Sequence, residues 1–341
     1  MKFAVYFHSN KKCFCDFIFF SVFIGLFIIS NSSYAEKITK NIQPDNGNAS
    51  STKAVQIVKP KVSSNKKNHR LPFQLSVSRI DTGSSQISQT PSALQRHSWL
   101  TNFSFKMPLS LKHKIFAGVS LGYDQIDYDW KLPQVPLAPA PYSGGWSDIK
   151  RYSASFSVIY KPDEQWLVIF SPKVQKAYAD GASSSNAVSY GGVLTAMYQF
   201  PSGNMLGGGV AYLNDLDDVR VIPFAAVRWQ INDKWSLTNP FKAGFAGPAG
   251  LEVRSQFAQD WTLGFGGSRR TERFLLNNNK QNAEIEEWVS FVSLGWDLDP
   301  QLTINTYAGF FFAGQLSISN PNVSYDMENQ GAAALSLDYR F

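Results

Sequence analysis

The chain has 341 residues with 32 Lys and Arg against 26 Asp and Glu, and this formal net charge of +6 is too small to indicate a nucleic-acid-binding protein. Charged residues make up 17% of the sequence, below the roughly 25% that is usual for soluble domains. Aromatic residues reach 14%, and no apolar run approaches the roughly 18 residues that a spanning helix requires. The composition therefore excludes a helical membrane protein and favours strands that face lipid.

Residues 1–35 have the pattern of a secretory signal peptide. Three lysines precede an apolar run of 13 residues from Phe17 to Ile29, and Ser33 and Ala35 place small residues at the two positions that signal peptidase recognises. Cleavage after Ala35 removes three Lys and one Asp, which lowers the formal net charge from +6 to +4. It also removes Cys13 and Cys15, so the mature chain is expected to have no disulfide, thiolate metal site or cysteine nucleophile.

From residue 71 onward the chain divides into strand-like segments separated by short turns and long polar loops in alternation. Fourteen strands are predicted, at 72–79, 97–107, 114–124, 150–160, 165–175, 187–200, 205–213, 218–230, 235–241, 249–258, 261–270, 285–297, 302–312 and 331–341. The pattern predicts an all-β fold for residues 71–341, a transmembrane antiparallel up-and-down β-barrel with an even number of 12–14 strands. Twelve remains open because the segment 235–241 is irregular, and because Pro172 and Pro223 each remove a ladder donor and are expected to mark a bulge or a local end of pairing.

Three strands carry two large aromatic residues each, eight positions apart on one face. At ~3.3 Å per residue and ~40° tilt, eight residues climb about 20 Å, close to the ~25 Å apolar band between the aromatic girdles of a membrane barrel. The predicted girdle residues are Tyr152, Tyr190 and Trp288 at the outer end and Tyr160, Tyr198 and Trp296 at the inner end. The opposite strand faces are polar or small, which predicts a water-filled interior.

Charged residues on that opposite face are predicted to line the lumen. They are Lys106, Arg151, Lys173, Arg220, Arg228, Arg254, Arg270 and Arg340 against Asp124, Glu252, Glu287, Asp297 and Asp338. The surplus of cations predicts a weak preference for anions. The alternative is that these charges pair and simply fill the interior.

The last segment, Ala332 to Phe341, alternates between apolar and polar residues and ends on Tyr339 and Phe341. It resembles the closing strand of bacterial outer-membrane β-barrel proteins, in which an alternating last strand that ends in Phe is the signal for the barrel-assembly machinery. The resemblance implies export to the outer membrane. The implied partners are lipid and lipopolysaccharide, periplasmic chaperones and the assembly machinery, with no nucleic acid and with the oligomeric state left open.

A second resemblance covers residues 233–267, which include Trp235-Ser236-Leu237, Gly247-Pro248-Ala249-Gly250-Leu251-Glu252-Val253 and Trp261-Thr262-Leu263-Gly264-Phe265. This segment is similar to a family of uncharacterised outer-membrane barrels of unknown function. The similarity supports the fold and the location, and it implies no activity.

Residues 36–70 are rich in Lys, Ser, Asn and Gln, and they predict a flexible basic periplasmic leader. Their basic cluster from Lys61 to Arg70 leaves a plug or a peptidoglycan-binding arm open, although charge runs are usually solvated tails. The external loop 126–149 carries four prolines followed by Tyr142 and Trp146. Its aromatic residues are expected either to fold into the barrel mouth or to contact a ligand, and a stiff solvated loop is equally compatible.

Neither a catalytic nor a metal site is predicted. His97 and Ser98 faintly resemble the motif of outer-membrane phospholipases, but Trp99 and Leu100 stand where that motif has Asn and Gly, and His113 is expected on the other side of the membrane. Three aspartates in one loop could hold Ca²⁺, yet they lack the glycine and terminal glutamate of a calcium loop, so a solvated turn is favoured. They are Asp215, Asp217 and Asp218.

The sequence thus predicts a passive, porin-like outer-membrane channel with weak anion preference, without enzymatic activity or cofactor. The alternative is a non-conducting structural or adhesive surface barrel that acts through its external loops.

Overall fold

The structure is a computed structural model that describes residues 73–88, 90, 92–110, 114–131, 146–215, 218–239, 244–247, 249–276, 281–319 and 322–341. The predicted signal peptide, the predicted leader and most of the proline-containing loop lie outside these residues. Within them, no helix is long and apolar enough to cross a membrane.

The described residues contain sixteen strands. In chain order they are β1 (Phe73–Thr82), β2 (Ser85–Gln86), β3 (Ala93–Ser110), β4 (Ile115–Lys131), β5 (Asp148–Tyr160), β6 (Trp166–Ala179), β7 (Val188–Gln199), β8 (Met205–Asp215), β9 (Asp218–Gln230), β10 (Trp235–Thr238), β11 (Ala249–Ala258), β12 (Trp261–Leu275), β13 (Asn282–Asp297), β14 (Leu302–Ile318), β15 (Val323–Met327) and β16 (Gln330–Arg340). Fourteen form a closed antiparallel wall, because β1 pairs with β3 on one side and with β16 on the other. The short strands β2 and β15 extend the external ends of β3 and β14.

The predicted β-barrel is therefore confirmed, with fourteen wall strands. Each predicted strand overlaps a wall strand, and the strands mostly continue beyond the predicted bounds at their external ends. The irregular segment 235–241 becomes β10, which has only four residues. Pro172 lies where pairing between β5 and β6 lapses, between the pairs Ser155 with Lys173 and Val158 with Phe170.

Asx turns form several of the short connections. The side chains of Asp163, Asn232 and Asp299 each accept backbone N–H donors from the residues two and three positions later. Asn and Asp favour tight turns because their side chains replace a backbone acceptor in this way. In the turn between β7 and β8, Gly203 has a positive φ of 86°, which glycine adopts without strain.

After β10 the chain leaves the wall and enters the barrel. The Asn239 side chain accepts the backbone N–H of Val227 at 2.8 Å and donates to the carbonyl oxygens of Ala225 and Gly250, so it joins β9 to β11 where β10 ends. By Gly244 the chain has reached the inner faces of β1 and β3, where this glycine lies against Ile80 and Leu100. Residues 244–247 are therefore an internal segment within the barrel, and the chain re-enters the wall at β11.

The external end of β12 also departs from a simple barrel. Leu275 pairs in parallel with Tyr178 of β6, a strand on the other side of β7–β11 in the sheet order. The upper part of the β12–β13 hairpin therefore extends across the mouth towards β6. It divides the external end of the barrel into two regions.

Candidate functional site: the barrel interior

Two sectors of the interior differ in packing. We call the inner faces of β12, β13, β14, β16, β1, β3 and β4 the packed sector, and those of β5–β9 the open sector. Above mid-height the packed sector is a continuous core that includes the fully buried Tyr128, Phe274 and Ile285. This core also takes in Ile149, Ala177 and Ala179 at the external ends of β5 and β6. Trp146, which ends the proline-containing loop, is buried in the same core and lies 5.6 Å from Phe274 between ring centroids. This tryptophan therefore folds into the mouth.

A buried ion network crosses the packed sector. Arg96 of β3 lies 3.3 Å from Glu272 of β12 and 2.9 Å from Glu287 of β13, although β3 pairs with neither strand. The hydroxyl of Tyr128 donates to Glu272 at 2.8 Å, and Arg270 also pairs with Glu272. All five side chains are buried, so each charge depends on its partners in place of water. The network holds opposite walls of the barrel together.

The internal segment closes the packed sector from below this network. Phe245 has no exposed surface, and its ring lies 5.6 Å from that of Tyr307 and 5.2 Å from that of Phe311. The Phe245 carbonyl oxygen also accepts a hydrogen bond from Arg270 at 3.5 Å. Aromatic pairs at these separations contribute more stabilisation than the burial of their apolar surface alone provides. The segment therefore acts as a plug on this side of the lumen.

The open sector has small side chains and exposed charges. Its wall residues include Ser153, Ser155, Ser171, Gly191, Gly207, Gly209 and Ala211. Lys173 and Arg228 remain exposed on this inward face, and so does the apolar Ile222 at 39%. Side chains that keep this much exposure on the inner face of a barrel line solvent-accessible space.

The pairing register places all thirteen predicted lumen charges on the inward face of their strands. Several of them are paired: Arg151 with Asp124 at 3.3 Å, Arg254 with Glu252 at 2.7 Å, and Arg270 and Glu287 within the ion network. Asp338 accepts a hydrogen bond from Asn305 at 3.0 Å and Asp297 one from Thr303 at 2.6 Å. Lys106 and Arg228 are exposed, while Arg340 is half-buried at the periplasmic end.

Arg96 and Glu272 belong to the same inward faces but were not among the predicted lumen charges. The predicted strands began at 97 and ended at 270, which placed both residues in external loops. A signal for longer strands was nevertheless present. The two-residue period continues through Arg96, Ser98 and Leu100 in β3, and through Arg270, Glu272 and Phe274 in β12. The external end of a barrel strand depends on the residues that pack against it at the mouth. Local alternation in the sequence does not reveal those partners.

The six predicted girdle residues lie on the outward face. Tyr152, Tyr160, Tyr190 and Trp296 are exposed, whereas Tyr198 and Trp288 are half-buried by their neighbours. Other aromatic residues extend these positions around the wall. Trp261 stacks on Trp296 at 5.2 Å, Trp166 lies 5.4 Å from Tyr198, and Tyr123 lies 5.0 Å from Tyr152.

A second charge cluster lies at the mouth, between the sectors. Arg220, on the inward face of β9, lies 3.0 Å from Glu284 and 3.2 Å from Glu286 of β13. Arg273 pairs with Glu284 and Arg269 with Glu286. These four β12 and β13 residues are on the hairpin face opposite the ion network, so the hairpin separates the packed core from a charged opening beside β9.

The other predicted positions form no reactive constellation among the described residues. His97 and Ser98 are consecutive residues of β3 and therefore lie on opposite faces. His97 contacts Asp81 at 2.6 Å on the outward face, whereas Ser98 is buried inside. Asp217 and His113, together with the side chains of Asp215 and Asp218, lie outside the description, and the described residues contain no group of His, Cys, Asp or Glu arranged to hold a metal.

Comparison with known families identifies the chain. Residues 151–339 match a family described as a domain of unknown function, DUF6268. The chain belongs to this family. The predicted similarity to uncharacterised barrels of outer-membrane type is thus confirmed, and no curated protein matches the sequence.

Several solved outer-membrane barrels are similar to the chain at low identity. The chain is similar to the COG4313 outer membrane channel from Pseudomonas putida F1, at 11% identity and a TM-score of 0.42, over 79% of this chain and 96% of that chain. It is also similar to the Pseudomonas putida toluene transporter TodX, at 11% identity and 0.37, over 79% and 90%. A third is the translocator domain of the autotransporter NalP from Neisseria meningitidis, at 9% identity and 0.34, over 79% and 88%.

Proposed function

We propose that the protein is a passive outer-membrane channel whose permeation path follows the inner face of β5–β9. The observation that supports this path is the contrast within one lumen: Lys173, Ile222 and Arg228 stay exposed on the open sector, while the facing wall is a buried core in its external half. Small wall residues leave room that large ones would fill. At the periplasmic end the exposed Arg228 of β9, with the exposed Lys106 facing the same lumen from β3, gives the path its cationic character.

Weak anion preference is part of this proposal. Arg96 and Glu272 add one charge of each sign to the predicted set, so the cation surplus remains three. The buried pairs of the packed sector largely cancel one another, which leaves the surplus on the accessible side. A low-dielectric wall focuses such a charge on passing ions, although salt screens it over about 10 Å at 0.1 M.

Single-channel recording of the refolded protein in planar bilayers tests the proposal. We expect discrete conductance steps in the unmodified protein. A silent, correctly folded barrel would instead support the structural or adhesive alternative, which the Phe245 plug and the buried ion network favour.

We also propose that the chain reaches the outer membrane through cleavage after Ala35 and through recognition of its last strand. Phe341 closes the barrel seam, since its backbone N–H donates to the carbonyl oxygen of Phe73 at 3.1 Å. Its ring packs at 4.9 Å from that of Tyr339 on the lipid-facing side. Recognition by the assembly machinery and periplasmic chaperones then depends on this apolar end.

Deletion of Phe341 is therefore expected to leave export intact and to impair insertion. Cell fractionation and heat-dependent migration on denaturing gels measure this, with a Phe341→Tyr variant as the conservative control. Normal surface levels of the deleted protein would refute the assembly role.

A further inference from the structure

The lipid-facing side of β6–β8 has a notch in its external half. At its base is Gly192, on the outward face of β7, which pairs with Pro172 of β6 and with Tyr212 of β8. The larger side chains around this glycine surround a cavity of about 240 Å³. The outward-facing residues that line it are Phe170, Tyr190, Gly192, Leu194, Val210 and Tyr212. Apart from the two tyrosine hydroxyls, these side chains are apolar.

The notch is present because residue 192 has no side chain. A Cβ atom at this position would stand 3.6 Å from the Cα of Pro172 and 3.7 Å from the ring of Phe170, which are ordinary contact distances. The backbone would therefore accept a larger side chain here, and that side chain would fill the notch. Atoms that line such a notch gain dispersion contacts when an apolar chain enters it. A flexible acyl chain of the surrounding lipid has the required shape and polarity.

A cation lies on the same face at the height of the outer aromatic girdle. Lys176 pairs with the girdle residue Tyr152, and it is four residues further out along β6 than Pro172, which is about 13 Å at ~3.3 Å per residue. Lys176 is exposed, and a lysine at a membrane interface extends its amine towards the lipid head groups. The ring of Tyr178 stacks on that of Tyr152 at 6.4 Å. A positive charge and tyrosine hydroxyls are thus placed on the head-group side of the notch.

Lys176 differs from the other outward-facing cations at or next to the girdle, which are paired with carboxylates. The pairs are Arg79 with Asp81 at 2.7 Å, Lys150 with Asp180 at 3.0 Å, and Arg269 with Glu286 at 2.6 Å. Within the part of the chain that the structure describes, Lys176 has no acidic partner. Its charge is therefore available to an anion from outside the chain. The carboxylate of Asp180, four residues along β6, is already compensated by Lys150.

We propose that the outward face of β5–β8 binds one molecule of lipid A, the phosphorylated anchor of lipopolysaccharide. A phosphate group is attracted by Lys176 beside the tyrosine hydroxyls, and an acyl chain enters the notch at Gly192. Lipid A is the anionic lipid of the leaflet that the outer girdle contacts. Its negative charge above an apolar chain matches a cation above an apolar notch. The inference rests on the proposed outer-membrane location and not on conductance.

Binding of lipid A to the refolded, lipid-free protein tests the site. The protein in detergent micelles is mixed with diphosphorylated lipid A at a low ratio of lipid to protein, and native mass spectrometry counts the retained adducts. We expect one adduct on the unmodified protein. Lys176→Gln, which removes the charge, and Gly192→Leu, which fills the notch, should each lower its occupancy several-fold.

Two matched variants control for the chemistry of these changes. Lys161→Gln removes an exposed charge in the periplasmic turn after β5. Gly331→Leu adds the same side chain to an exposed glycine on the lipid-facing side of β16, where a Cβ would meet no atom within 4 Å. Both are expected to retain the adduct as the unmodified protein does. Heat-dependent migration on denaturing gels shows that each variant is folded.

Undiminished occupancy in either Lys176→Gln or Gly192→Leu would overturn the site, because lipid A would then contact the wall without a fixed place. Equal retention of phosphatidylglycerol would overturn the choice of lipid A, and equal retention of dephosphorylated lipid A would overturn the role of the cation. The measurement uses purified protein, so it depends neither on export nor on conductance. A conducting barrel that retains no lipid A would refute the site alone, and a silent barrel that retains it would refute the channel alone.

Discussion

The packed and open sectors are built from strands of the same alternating pattern, yet they bury opposite kinds of side chain. The inner faces of β12–β14 and β3–β4 carry Phe, Tyr, Ile and charges that pair across the lumen, whereas those of β5–β9 combine Ser, Gly and Ala with exposed charges and with one small apolar cluster around Met197 and Met205. The first set of faces is stabilised by what fills it. The second is stabilised by its strand ladders and by lipid on the outside. At one height along the barrel axis, side chains can therefore fill one side of the lumen and leave the other side unfilled.

The largest expected effect comes from emptying the plug. Phe245→Ala removes a fully buried ring from an aromatic site, which costs about 3–5 kcal/mol of unfolding free energy. It also widens the lumen, so conductance is expected to rise. Urea unfolding in proteoliposomes and single-channel recording measure the two effects. Ile222→Ala is the control in the open sector, where the change should stay within about 0.5 kcal/mol. Equal losses of unfolding free energy in the two variants would show that the packed and open sectors do not differ in packing.

Removal of one charge from the buried network is expected to lower the unfolding free energy slightly less than Phe245→Ala does. Glu287→Gln leaves Arg96 with Glu272 as its remaining carboxylate and should destabilise the barrel by about 3 kcal/mol, since a buried charge loses part of its compensation. The unfolding midpoint in urea reports the change. Arg228→Gln, which alters an exposed charge, serves as the comparison. A stability unchanged from that of the unmodified protein would show that water, and not Glu287, solvates Arg96.

The wall of this barrel could be predicted from the sequence, and most of its interior could not. Strand alternation is local, so the girdle tyrosines and the inward charges follow from spacing once a strand is recognised. The path of the chain after β10 is not local. Asn239 and Phe245 carry no signal of their own, because their roles depend on Ala225, Gly250 and the rings of Tyr307 and Phe311, which are distant in sequence.

The crossing of β12 to β6 is non-local for the same reason. Alternation continues past Arg270 into Glu272 and Phe274, but whether those residues lie in a strand or in a loop depends on the partner at the mouth. The buried network was therefore only partly predicted: Arg270 and Glu287 were on the predicted lumen face, and Arg96 and Glu272 were not. Facing charges pair across the packed sector, whereas Lys173 and Arg228 are exposed on the inner face of the open sector.

A bulky residue in the open sector should separate conduction from stability. Ala211 of β8 points inward beside Val193 and Ile222, and Ala211→Trp is expected to lower the conductance by more than half with little change in unfolding free energy. Val210→Trp places the same ring on the lipid-facing side of the same strand and should leave conductance unchanged. Full conductance in both variants would move the permeation path away from β5–β9.

The smallest expected effect is on ion selectivity. Arg228 and Arg254 lie on the accessible inner face near the periplasmic end, and Arg254 is held at 2.7 Å from Glu252 while Arg228 is exposed. Replacing both with Gln removes two charges from the cation surplus of three, so a slight anion preference should fall towards zero or reverse. Reversal potentials under a salt gradient measure this, and the preference should fade in concentrated salt because the Debye length shrinks to about 3 Å at 1 M. Asp215→Asn at the external end of β8, combined with Asp217→Asn, should have little influence. A clear cation preference of the unmodified protein would mean that permeating ions meet the carboxylates of the mouth, Glu284 and Glu286, before the cations of the wall.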